Sequence, residues 1–256
     1  MARIHAIEFE DLPWFPSVLR NYMTDYLQFV GNKFKIFEQA IPKLQDLITD
    51  TKQNQIVDLC SGGGGSWSDL FPKLQAKVPD IKVMFTDLYP NKDRLESLAV
   101  SQTGLEFHNK SVNATEVPKE LSGIRTQFLS FHHFRPDAAL ALLQNATDSG
   151  NPVAIFEAQE RNLPHLIQFS LSFVFVLLLT PFIRPFSLGR LVFTYLIPLV
   201  PIFVFWDGIA SVLRTYSVEE MESLIQKVEG NERFDWEVGK LNNGPTVNLF
   251  LIGKPK

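Results

Sequence analysis

A short apolar run, Gln55-Ile56-Val57-Asp58-Leu59, passes through Cys60 into Ser61-Gly62-Gly63-Gly64-Gly65-Ser66 and then into a helical stretch opening at Trp67. This junction limits the fold more than any other feature of the chain. Glycines in series cost chain entropy, and they are kept where a backbone must turn sharply or lie close against something else. Where a strand feeds a helix through such a turn, free main-chain N–H groups point outward. A phosphate or a charged amino-acid tail binds there.

The rest of the chain repeats the alternation. Ile81 to Phe85 reads as a strand ending at Thr86-Asp87, Asn91 to Val100 as a helix, and Leu105 to Lys110 as a third strand. Thr126 to Phe131 is a fourth strand, Asp137 to Asn145 a helix, and Val153 to Glu157 a fifth strand. Ser217-Val218-Glu219-Glu220 has the form of a capping box opening a helix to Val228. Asp235 to Leu241 and Thr246 to Ile252 follow, joined by Asn242-Asn243-Gly244-Pro245, which reads as a hairpin. The expectation is a doubly wound α/β fold with a mostly parallel seven-stranded sheet and an antiparallel last strand. Trp14 to Asp50 carries apolar residues at three- and four-residue spacing and predicts two helices broken near Gly31 and Asn32. One domain is expected, made of a helical lid (1–52), a cofactor-binding core (53–160), an apolar helical-hairpin insertion (161–208) and a C-terminal helix and strand hairpin (209–256).

Composition excludes several classes. The net charge is −4, and no Lys/Arg run exists to neutralise many phosphates, so no nucleic-acid partner is expected. The single cysteine, Cys60, leaves no internal disulfide or thiolate zinc cluster, and the five histidines show no metal-ligand spacing, so no metal is expected. The N-terminal stretch carries acids where a signal peptide would be apolar, which places the chain on the cytoplasmic side.

Two details of the glycine loop favour S-adenosylmethionine (SAM) over a dinucleotide. The dinucleotide fingerprint needs a third glycine where Trp67 stands. Asp58, just before the turn, suits an ammonium group and would repel a diphosphate. From Gln53 to Gln159, and again in the final hairpin, the chain resembles the class I SAM-dependent methyltransferase family. Ile56-Val57-Asp58-Leu59-Cys60-Ser61-Gly62-Gly63-Gly64 is similar to the family's first motif, with Cys60 in place of its first glycine. The resemblance implies SAM as cofactor, held by Asp58, Cys60, Ser61, Gly62 and Gly64. It implies Asp87 with Leu88 at the ribose, Asn113-Ala114 beside the adenine, and Phe131 at the methyl donor.

Methyl transfer is an in-line displacement in which the protein aligns the nucleophile and removes any proton it carries. A histidine of near-neutral pKa suits the second task, so His132 or His133 is the candidate base. Equally open is that one caps the next helix while the other packs on Phe134. Glu157 either positions substrate or pairs with Arg161. Asp207, Ser211 and Arg214 share one helical face and, with Tyr216, form a candidate substrate-binding cluster or a structural ion pair.

Leu166 to Ile183 runs 18 residues without a charge, thirteen of them Leu, Ile, Val or Phe. At the helix centre these favour membrane insertion by about 4–8 kcal/mol. Leu191 to Trp206 is a second apolar arm, broken by Pro198 and Pro201, with Arg184 and Arg190 in the turn between. Membrane contact through 163–206 is expected, as a re-entrant or interfacial hairpin first and a two-span hairpin second. The function expected is methyl transfer to a lipophilic small molecule (quinone precursor, isoprenoid or lipid) at a membrane surface. The alternatives are a soluble methyltransferase with a hydrophobic cap or dimer interface, and a non-catalytic membrane-associated scaffold.

Overall fold

A computed structural model describes residues 1–243 and 246–256. Strands β1 (Gln55–Asp58), β2 (Lys82–Phe85), β3 (Leu105–Phe107), β4 (Ile124–Phe128), β5 (Val153–Glu157), β6 (Phe234–Asn243) and β7 (Thr246–Pro255) form one seven-stranded sheet in the order β3-β2-β1-β4-β5-β7-β6. The first five are parallel, and β7 runs antiparallel to both neighbours, β5 and β6. Every residue of β5 is buried, as a central strand covered on both faces requires. The Gly244-Pro245 half of the expected hairpin turn lies outside the described residues; the strands flanking it pair in register up to Asn243 and Thr246.

Helices cover both faces. Leu44 and Leu47 of α2 (Ala40–Thr51) and Leu70, Phe71 and Leu74 of α3 (Trp67–Gln75) share one core with Leu95 of α4 (Lys92–Ser101). On the other face Leu142 and Leu143 of α5 (Pro136–Asp148) meet Met221 and Leu224 of α10 (Val218–Ile225). Ser217 caps α10 through the capping box read from the sequence.

Local corrections concern boundaries. Helix α1 (Ser17–Lys33) continues through Gly31 and Asn32 and the break falls at 34–39. Gly31 is a point of close approach: a Cβ there would meet Ser66 Oγ at 2.9 Å. Strand β4 stops at Phe128 because Leu129 takes a left-handed φ of 50°, so Phe131 opens a 3-10 turn, Phe131–His133, and lies outside the strand.

The insertion follows β5. Helices α6 (Leu163–Ser170) and α7 (Ser172–Leu179), with the turn Thr180–Phe182, form one apolar run of 20 residues with mean hydropathy 1.9. Helix α8 (Leu188–Leu191), a π-helical turn (Val192–Leu196) and α9 (Leu199–Arg214) make the second arm, bent by 77°. The bend falls at Ile197-Pro198. Pro201 breaks nothing, because it stands in the first turn of α9, where an N–H would lack a partner. The arms pack on the lid: Val176, Val200 and Val204 bury against Phe15, Leu19, Met23 and Tyr26. Much of the remaining apolar surface faces outward. His165, Thr180, Arg190, Thr194, Asp207 and Arg214 are buried, whereas Leu163, Ile167, Leu171, Leu178, Phe182 and Leu196 are exposed.

Arg190 is an interior group. It is 2% exposed, with Nη1 donating to Asp25 Oδ2 at 2.6 Å and Nη2 donating to the carbonyls of Ile183 and Pro185. The turn between the arms is therefore fastened to α1, and of its two arginines only Arg184 is exposed.

Candidate active site

The loop after β1 is braced from below. Asp58 is 3% exposed; its Oδ1 accepts from Thr126 Oγ1 at 2.6 Å and its Oδ2 from Ser61 Oγ at 2.7 Å. Burial pushes the Asp58 carboxyl up to about 6, against the two hydroxyl hydrogen bonds that pull it down. The Asp58 carboxylate thus serves the loop itself.

Cys60 takes a left-handed φ of 57°, and Gly62, Gly64 and Gly65 follow at 54°, 87° and 46°. The cysteine thus adopts the conformation a glycine would at that point of the motif. Burial, then the Asp87 charge, lift its thiol to about 12, so it is no nucleophile.

Asp87, at the end of β2, faces this loop. Its Oδ2 accepts from Gly62 N at 2.8 Å and its Oδ1 from Tyr89 N at 2.7 Å. A Cβ built on Gly62 would meet nothing within 4 Å, so the space beside the Gly62–Asp87 contact is open. Leu88 is exposed next to it. Asn113 turns its amide oxygen to Thr115 N and Oγ1, and Ala114 is buried in the core. Phe131 is also buried, its ring 5.2 Å from Tyr216.

The lid helix lies over the loop. Asn32 Nδ2 reaches Ser68 Oγ, and Arg94 of α4 crosses Gly63 to pair with Asp25 of α1 at 2.5 Å. A Cβ on Gly63 would meet Arg94 Cδ at 2.5 Å, so any larger residue there must push the arginine aside.

The two histidines differ in partner. His132 is 2% exposed; its Nδ1 lies 2.7 Å from Glu157 Oε2 and its main-chain N–H donates to Glu157 Oε1. Glu157 also accepts from Gln159 Nε2, while Arg161 pairs with Glu220 instead. His132 Nε2 is buried and makes no hydrogen bond; Glu8 Oε1 lies 3.8 Å from it. His133 faces the other way, 2.7 Å from Asp11 Oδ1 and 3.4 Å from Glu8 Oε2. Burial alone would lower its pKa, but the Glu8 and Asp11 carboxylates outweigh it and raise the imidazole to about 9. His133 is a cation at neutral pH and is already protonated, which leaves His132 as the candidate base.

Asp207, Ser211 and Arg214 do share one face of α9, and the N-terminal segment lies across them. Asp207 accepts from Phe9 N and Glu10 N, Ser211 Oγ reaches Glu8 Oε1, and Arg214 Nη1 lies 3.2 Å from Glu8 Oε1 and 2.5 Å from Asp11 Oδ2. Tyr216 Oη donates to Phe134 O beneath the Arg3 guanidinium. Among the described residues, Glu8, His132 and His133 bring ligand-type atoms within 4.8 Å of one another. Arg214 Nη1, 3.5 Å from His133 Nδ1, already supplies the positive charge a metal ion would bring there. The sequence reading missed Glu8 and Asp11. Their only signal was an acidic run, Glu8-Phe9-Glu10-Asp11, with no local base to pair with.

No family model matches the chain, and no curated protein does. Solved structures do. An O-methyltransferase family protein from Burkholderia thailandensis superposes with a TM-score of 0.52 at 14% identity, covering 90% of this chain and 59% of that one. The plantazolicin methyltransferase BamL, solved with a triazolic desmethylPZN analog and SAH, superposes with a TM-score of 0.50 at 13% identity, covering 94% and 99%. The chain therefore spans about three-fifths of the Burkholderia protein and nearly all of BamL. Its fold is that of the class I SAM-dependent methyltransferases.

Proposed function

We propose that the chain is a SAM-dependent methyltransferase that acts on a lipophilic small molecule while its insertion rests in a membrane surface, with the core on the cytoplasmic side. The cofactor reading is supported by the open space beside Gly62, the positive-φ turn around it and the Asp87 carboxylate facing it. Gly62 to Gly64 would take the amino-acid end and Asp87 the ribose hydroxyls. The bound cofactor supplies a methyl group on a sulfonium, activated for displacement. His132 takes the proton of a hydroxyl acceptor at Nε2, while Glu157 fixes its tautomer and stabilises the imidazolium formed.

The observation that carries the lipid half is the exposed apolar stripe of the insertion. A water-facing helix hides its apolar stripe and shows its polar one. Here Leu163, Ile167, Leu171, Leu178 and Phe182 face outward along a run of about 30 Å, while His165 and Thr180 turn inward. Because Arg190 fastens the turn to α1, a hairpin that carries this turn across the bilayer is disfavoured. An interfacial helix, buried about 5–10 Å into one leaflet, fits better.

Two measurements test this. Calorimetric titration with SAM checks the cofactor site; folded protein that binds none favours the scaffold. Sedimentation with liposomes checks the surface: the protein should pellet, and Leu171→Glu with Leu178→Glu should keep it in the supernatant without unfolding it. Wild-type protein that ignores liposomes, or forms a dimer that protects the stripe, refutes membrane docking.

A further inference from the structure

We propose that the pocket holding the Glu8 carboxylate is the seat of the acceptor's headgroup, and that this headgroup is a carboxylate on an apolar chain. The proposal rests on the methyltransferase reading only in calling the ligand an acceptor. The binding site itself stands on the residues below.

Glu8 belongs to an N-terminal strap, residues 1–16, whose one regular element is the short 3-10 turn Phe9–Asp11. Its side chain is nevertheless 1% exposed. What receives it is fixed structure: Arg214 Nη1 at 3.2 Å and Ser211 Oγ at 3.2 Å from α9, and His133 Nδ1 at 3.4 Å from the turn after β4. Two cations and a hydroxyl converging on one carboxylate make a carboxylate receptor, and the strap occupies it as an internal ligand.

The fourth wall does not match its occupant. His132 Nε2, buried and unpartnered, stops 3.8 Å from Glu8 Oε1. At 3.8 Å the Glu8 carboxylate does not reach that nitrogen with a hydrogen bond. A hydroxyl on the same molecule as the carboxylate would. The pocket thus fits an apolar hydroxy acid better than it fits Glu8. Its outer neighbours suit the apolar part: Ile4, Ile7 and Trp206 are exposed alongside, with Trp206 Nε1 donating to Ile7 O.

Displacing Glu8 leaves the fold's own charges paired. Arg214 keeps Asp11 and the Ala6 carbonyl, and Asp207 holds the strap through main-chain N–H groups. The Glu8→Ala variant should therefore fold, with its receptor vacant.

The test uses the full chain and two probes of one length, decanoate and methyl decanoate, titrated below their aggregation limits. Decanoate should bind more tightly than the ester by about tenfold or more, the scale of one charge-assisted hydrogen bond. Glu8→Ala should strengthen decanoate and leave the ester unchanged. His133→Asn should erase the preference while Arg214 stays in place. Equal binding of acid and ester, or a Glu8→Ala protein that binds decanoate no better, overturns the proposal, because greasy adsorption to the insertion ignores both. SAM is titrated into the same preparations. An acid preference without SAM binding would keep the receptor and remove the methyltransferase. SAM binding without it would do the reverse.

Discussion

Gly62 and Gly150 offer a controlled pair. Both have left-handed backbones, φ 54° and 66°, and a Cβ on either would meet nothing within 4 Å of the protein. Alanine at either site should therefore cost stability for backbone reasons alone, about 1–2 kcal/mol, which in a chain of this size lowers Tm by about 2–8 °C. The ligand separates them. Gly150 lies beyond α5, away from the loop, whereas the space over Gly62 is where SAM would press against the main chain. A methyl group forced into a fitted contact costs about 1–3 kcal/mol, so Gly62→Ala should weaken SAM by roughly 5- to 150-fold and Gly150→Ala should leave it unchanged. Thermal melts and calorimetry on the same samples measure both. If Gly62→Ala binds SAM as tightly as the parent while melting like Gly150→Ala, the open space is not a cofactor site.

Three further outcomes are expected. Asp87→Asn should weaken SAM by about ten- to hundredfold, the worth of a hydrogen bond to a charged group, with little change in Tm; an unchanged titration argues against the ribose role. The His133 imidazole is raised from 6.5 to about 9, so the native state holds its proton longer than the unfolded chain does. Its contribution to stability is complete below pH 6.5 and is lost as pH rises through 9; Tm should fall across that window, and His133→Gln should flatten the slope. Arg190→Gln removes one partner of a buried ion pair. Because Asp25 keeps Arg94, the loss should sit near the lower end of the usual range, about 3 kcal/mol; a variant that melts like the parent would show the fastening to be idle.

The sheet was legible because its signals are local. Strands buried on both faces read as apolar runs, the glycine turn as a break in that pattern, and the α10 capping box as a three-residue spacing. What the sequence could not disclose are pairings between residues far apart in the chain. His132 and His133 stand out as a couplet, but Glu157 and Asp11, which divide them into a base and a cation, lie 25 and 122 residues away. Phe131 looked like the end of a strand because it is apolar; the left-handed Leu129 that ends β4 early has no local signature. The arginines of the insertion read as a charged turn, and only the placement of α1 makes Arg190 an interior group.

That placement also explains how an outward-facing apolar insertion is carried on a doubly wound core without pulling free of it. Asp25 receives two guanidinium groups, Arg94 from the α4 side and Arg190 from the turn of the insertion, and Arg94 in turn lies across Gly63. One carboxylate between two cations holds each more firmly than an isolated pair would, since its own side chain is ordered once for both contacts. The glycine loop, the lid helix and the insertion thus form a continuous polar seam on the core side, and apolar residues face out from the other side of the insertion. A force that lifts the insertion must part Asp25 from Arg190 before it reaches the loop. Membrane docking through the outer stripe therefore leaves the glycine turn seated.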